Sequence, residues 1–178
     1  MNIKTLSELT RRAAVPAWLL VMAAVMLPGC GGSNPLSPKP QTDAVPYPVS
    51  LLLPTAIDIH SFTGTKTFED GTQGIEVHIV ARDAYGDATK AFGDFRFELF
   101  TFRPNSPDPK GRLVDHWSNS LLKPEDNASH WWKVSRTYIF KLQSRQPLKA
   151  GQQYVLVAYF SSPYTPRWTK EKVFVAGQ

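Results

Sequence analysis

Asp115 and His116 stand side by side with Ser118 and Ser120 close behind, the residue types that a nucleophilic hydroxyl and its base would require. Neighbouring residues of a strand point to opposite faces, so Asp115 and His116 cannot address one serine together and form no triad. His60, His78, His116 and His130 are the chain's four histidines. They lack the short paired spacings of a zinc site. His60 and His78 fall at outward positions of expected strands and read as solvated side chains. Asp83, Asp87 and Asp94 could bring oxygens to one end of a fold, but they lack the ligand spacing of a calcium loop and read as turn residues. There is no His-Glu-x-x-His, no Gly-x-Ser-x-Gly and no glycine-rich phosphate loop. The expectation is a protein with no catalytic residue, no metal and no cofactor.

The more suggestive residues are aromatic. Trp117, Trp131, Trp132, Tyr159, Tyr164 and Trp168 cannot all enter a core, because Trp131 and Trp132 face opposite sides of any strand that holds them. Ser162 to Trp168 is a proline-braced loop with Tyr164, Arg167 and Trp168, residue types enriched at binding hot spots. Trp131, Tyr164, Arg167 and Trp168 are therefore the candidate binding residues. An exposed ring among them could meet a protein partner or stack on a sugar.

Strands must position these side chains. Gly74 to Arg82 places Ile75, Val77, Ile79 and Ala81 on one side and Glu76, His78 and Arg82 on the other, the period of a half-buried strand. Phe95, Phe97 and Leu99 alternate with Arg96 and Glu98 in a second strand running on to Phe102. Further strands are expected at Ile57 to Phe62, Leu113 to Ser118, Trp131 to Leu142, Tyr154 to Phe160 and Val173 to Val175. Pro124 suits the first turn of a short helix within Ser120 to Asp126. About seven antiparallel strands in one β-sandwich are the expected domain, over residues 49–178.

Leu148-Lys149-Ala150-Gly151-Gln152-Gln153-Tyr154 leads into the alternating run Tyr154, Leu156, Ala158 and Phe160. It resembles the tyrosine corner of immunoglobulin-like sandwiches, whose tyrosine bonds back to upstream backbone. Val80-Ala81-Arg82-Asp83-Ala84-Tyr85-Gly86-Asp87, followed by the strand at Phe95, is similar to bacterial immunoglobulin-like domains. The resemblance implies a fold, and a fold does not fix a function. Glu125-Asp126-Asn127-Ala128-Ser129 resembles the acidic glycosylation sequon of some bacteria.

Upstream, Lys4, Arg11 and Arg12 precede an uncharged, mostly apolar run of 15 residues, Ala13 to Leu27. A spanning helix needs about 20, so the run reads as an export signal. Leu27-Pro28-Gly29-Cys30 closes it with the chain's one cysteine and resembles a bacterial lipobox. The resemblance implies a cleaved signal over 1–29 and acylation of Cys30, with two or more chains for stable anchoring. By the same resemblance Gly31 favours the outer membrane over the inner. Residues 30–48 hold Pro35, Pro38, Pro40, Pro46 and Pro48 and read as an extended linker.

Of 20 basic and 15 acidic residues, three and one fall before Cys30, which leaves a net charge of +3 after it. Scattered lysines and arginines of that small excess exclude a nucleic-acid surface. The expected protein is a cell-envelope lipoprotein, not an enzyme, that presents a sandwich for binding or assembly. Its expected partners are the membrane, through Cys30, and an envelope protein or polysaccharide. Two alternatives stand beside it. One is a carbohydrate-binding surface domain. The other is a secretion-apparatus lipoprotein, because Tyr154 to Tyr159 followed by Trp168 resembles the late strand of the type VI outer-membrane lipoprotein.

Overall fold

A computed structural model describes residues 45–177. Cys30 and the signal and linker segments before residue 45 lie outside them. In chain order the elements are β1 (Ala56–Ile59), β2 (Gly64–Thr67), β3 (Gln73–Arg82), β4 (Asp94–Phe102), β5 (Lys110–Ser120), α1 (Pro124–His130), β6 (Trp131–Trp132), β7 (Thr137–Gln143), β8 (Gln153–Ser161) and β9 (Trp168–Val175). The strands form two antiparallel sheets. Sheet A has the order β1-β3-β7-β6, with β2 also on β3, and sheet B has the order β5-β4-β8-β9.

This is the immunoglobulin connectivity: the first, second, fifth and fourth strands of that fold in one sheet, the third, sixth and seventh in the other. Nine strands replace the expected seven for identifiable reasons. The first strand is broken at His60–Thr63, where Thr63 N–H bonds to His60 O and the Thr63 hydroxyl accepts the His78 N–H at 2.9 Å. The stretch from Trp131 to Leu142 is a hairpin, because the chain reverses before Arg136, whose φ is 52°. The chain beyond the break adds β2, and β5, expected at Leu113 to Ser118, lies beside β4.

Alternation builds the core from both sheets. Ile75, Val77 and Ile79 of β3 face Phe95, Phe97 and Leu99 of β4, and Phe140 and Phe160 close on Phe95 at ring distances of 5.1 and 4.8 Å. Dry aromatic pairs in these tilted geometries add to plain burial. The tyrosine corner is present: Tyr154 is buried and its hydroxyl accepts the Lys149 N–H at 3.2 Å. The turn after β3 is held by Asp83, whose Oδ1 accepts the N–H groups of Tyr85 (2.9 Å) and Asp87 (3.1 Å), while Gly86 takes the left-handed φ of 84°.

Candidate functional site

The outer face of sheet A carries a groove of about 550 Å³. Its floor follows from strand register. Glu76 lies opposite Lys141 and His78 opposite Ile139, all on the side that the alternation of β3 and β7 turns away from the core. Lys66 of β2 sits diagonal to Glu76 and donates to its Oε2 at 2.7 Å. His130, Trp131 and Trp132, at the end of α1 and in β6, form one wall. Among the described residues Lys141 is in no ion pair.

Aromatic rings cross this face in series. His60 lies 4.5 Å from Phe62, Phe62 meets His78 edge-on at 6.0 Å, and His78 lies 6.2 Å from Trp132. Phe62 is 68% exposed and Trp132 47%, yet His78 between them is only 3% exposed. His78 therefore points outward as expected but is not solvated. The two rings cover it, its Nε2 lies 3.3 Å from Glu76 Oε1, and its Nδ1 is buried without a protein partner. Partial burial pushes the Glu76 carboxyl up, but hydrogen bonds from Lys66 and His78 outweigh it and hold the group below the ordinary carboxylate range. Lys172 of β9 fixes the segment carrying Phe62: its Nζ donates to His60 O at 2.8 Å and Ser61 O at 3.0 Å. Burial lowers the pKa of that ammonium.

The four binding candidates from the sequence do not form one patch. Trp131 is half-buried, with Lys90 Nζ 3.9 Å above its ring and Tyr138 edge-on at 4.9 Å. Tyr164 packs at 5.7 Å on Phe92, so Trp131 and Tyr164 touch opposite ends of the stretch from Lys90 to Phe92. Arg167 is exposed and bonds to the Ser161 hydroxyl. Trp168 packs against the core and donates to Pro54 O at 3.2 Å. Of the four, Trp131 alone lines the groove, and Trp132 beside it supplies the exposed ring. No protein-family model, curated protein or solved structure matches the chain.

Asp115 and Asn127 turn out to be structural. Asp115 is buried, and its carboxylate accepts the N–H groups of His116 (2.9 Å) and Arg145 (3.0 Å). Asn127, the acceptor of the sequon, uses its amide nitrogen on Ala91 O (2.6 Å) and Leu121 O (3.2 Å). Its Oδ1 accepts from the Tyr138 hydroxyl at 2.9 Å. Neither residue has atoms free for chemistry in this arrangement. The groove offers something else: carboxylate acceptors, two ammonium donors and the face of an indole on a rigid sheet, which suits recognition of a ligand.

Proposed function

We propose that the protein is a cell-envelope lipoprotein whose sandwich is a non-enzymatic binding module, held by acylated Cys30 and engaging its ligand in the groove beside β6. The carrying observation is the lone cysteine at the end of an export-type apolar run, in a chain whose folded part bears an exposed aromatic groove. Support for the tether is chemical: a lone thiol in an exported chain is an oxidation liability, and acylation removes it. The proline-rich composition between Cys30 and residue 44 is that of a spacer. The test is the mass of the N-terminal peptide from membranes expressing the full chain, against Cys30→Ala. A triacylated Cys30, and release of the variant from the membrane, are expected. An unmodified and soluble wild-type product would overturn the reading.

One observation favours a saccharide as the ligand: half-exposed Trp132 and the Lys66–Glu76 ion pair line the same groove, a stacking surface with hydroxyl partners in reach of one ligand. Oligosaccharide quenching of tryptophan fluorescence, lost in Trp132→Ala, is the expected result. Quenching that persists in that variant would locate the sugar elsewhere.

A further inference from the structure

β5 ends sheet B and is hydrogen-bonded on one side only, to β4. Leu121 N–H donates to Gly93 O at 2.8 Å, so the opposed residues Asp94 and Ser120 point their own main-chain groups away from each other. Alternation then assigns the rest. Asn119 and Trp117 bond to β4, whereas Ser120, Ser118 and His116 aim N–H and C=O at the open side. An independent bond agrees, because the His116 N–H is taken by Asp115 Oδ1. The side chains of His116, Ser118 and Ser120 are exposed, and the main packing of α1 is against β7.

Natural sheets blunt such edges with charges, prolines or bulges. From Asp115 to Ser120 the register with β4 is regular, and His116 to Ser120 contains no formal charge, proline or glycine. We propose that this edge takes a second copy of the chain, β5 pairing antiparallel with β5 about a two-fold axis at Ser118. The two Ser118 residues then exchange N–H···O bonds, and each Ser120 N–H reaches the other copy's His116 C=O.

A two-fold interface must be self-complementary, since residues before the axis in one copy meet residues after it in the other. Two exposed large apolar residues satisfy this. Leu122, 38% exposed, follows Ser118, and Leu113, 45% exposed, precedes it. Val114, for which β4 has no counterpart, takes up the difference in their offsets. Beyond them, exposed Arg112, which is in no ion pair among the described residues, meets the second copy's Glu125 in the acidic first turn of α1. Apolar faces apolar and cation faces anion, twice by symmetry.

The test is disulfide trapping in the full chain in a Cys30→Ala background, so that the introduced thiol is the only one. Hydrogen-bonded antiparallel partners have Cα atoms about 5.5 Å apart, within reach of a disulfide. Ser118→Cys should give a covalent dimer under mild oxidation, and Thr169→Cys on the opposite edge of sheet B should stay monomeric. Leu113→Asp with Leu122→Asp should cut the trapped fraction roughly tenfold or more, because like charges then oppose each other twice across the axis, and Leu113→Lys with Leu122→Asp should restore it. Trapping of Ser118→Cys no better than Thr169→Cys would overturn the proposal. So would a trapped fraction indifferent to the charge pair.

Discussion

Tyr138→Phe deletes a single oxygen from the interior and keeps the ring that packs against Trp131 and Phe95. That oxygen accepts the Ala91 N–H at 2.9 Å and donates to Asn127 Oδ1 at 2.9 Å, tying β7 to the β3–β4 connection and to α1. Tyr138 and Ala91 are both fully buried, and burial raises the hydroxyl pKa, the mark of a dry setting. The Asn127 oxygen is only partly buried and can turn to water, but the Ala91 N–H has nowhere to go. An orphaned buried donor costs about 1–3 kcal/mol. We expect a loss of about 2 kcal/mol from this mechanism, and a fall in melting temperature of roughly 6–10 °C for a domain of this size. Guanidinium unfolding followed by tryptophan emission measures it, with an unchanged m-value showing that stability alone has moved. Combined with Asn127→Ala, the two changes should couple by about 0.5 kcal/mol or more, as contacting residues do. A single-variant loss under about 0.5 kcal/mol, or strict additivity, would refute the view that this hydroxyl joins the three segments.

Glu76→Gln concerns pH. The folded Glu76 carboxyl lies below its ordinary value of 4.5, so its contribution is present above that pH and is lost as pH falls through the lower folded value. Asp58, lowered chiefly by its hydrogen bond from Lys170, acts in the same sense. Wild-type stability should therefore drop between about pH 5 and 3, more steeply than that of Glu76→Gln, and parallel pH profiles would contradict the assignment. Gly74→Ala should destabilise by about 1–3 kcal/mol through overpacking, because a Cβ there runs into the Leu142 carbonyl and the Phe68 ring. A neutral result in thermal unfolding would mean that β7 yields easily. Lys172→Met removes the ammonium that holds His60 O and Ser61 O. Amide exchange at Phe62 and Thr63 should quicken while β8 stays protected, and unchanged exchange would show that the loop is held otherwise.

Side-chain alternation made the long strands legible. Residues 75–82 and 95–102 carry period two because each strand buries one face, and the tyrosine corner carried its own local signature. β2 was not legible, since Gly64-Thr65-Lys66-Thr67 buries little and owes its place to pairing with β3. The hairpin within residues 131–142 was hidden because its turn, Lys133 to Arg136, has neither glycine nor proline. The groove was half legible. The opposed faces of Trp131 and Trp132 were readable, and Trp132 is the exposed ring. The burial of His78 was not, because Phe62 and Trp132, which cover it, come from distant parts of the chain. Asn127 stood out for its sequon, and only the fold brings it to Tyr138 and Ala91.

The way the chain approaches β1 has a mechanical consequence. Before that strand begins, Leu51 O accepts the Ala84 N–H at 3.1 Å, Leu52 O accepts the Thr89 hydroxyl at 2.9 Å, and Thr55 N–H donates to Arg82 O at 2.7 Å. A pull applied at residue 45 meets these bonds ahead of the rungs between β1 and β3, the last of them already on Arg82 at the end of β3. They form a strain relief, like the clamp where a cable meets its housing. Tugging from the N-terminal side is therefore met first at the β3–β4 connection and the end of β3, ahead of the strands that carry the groove.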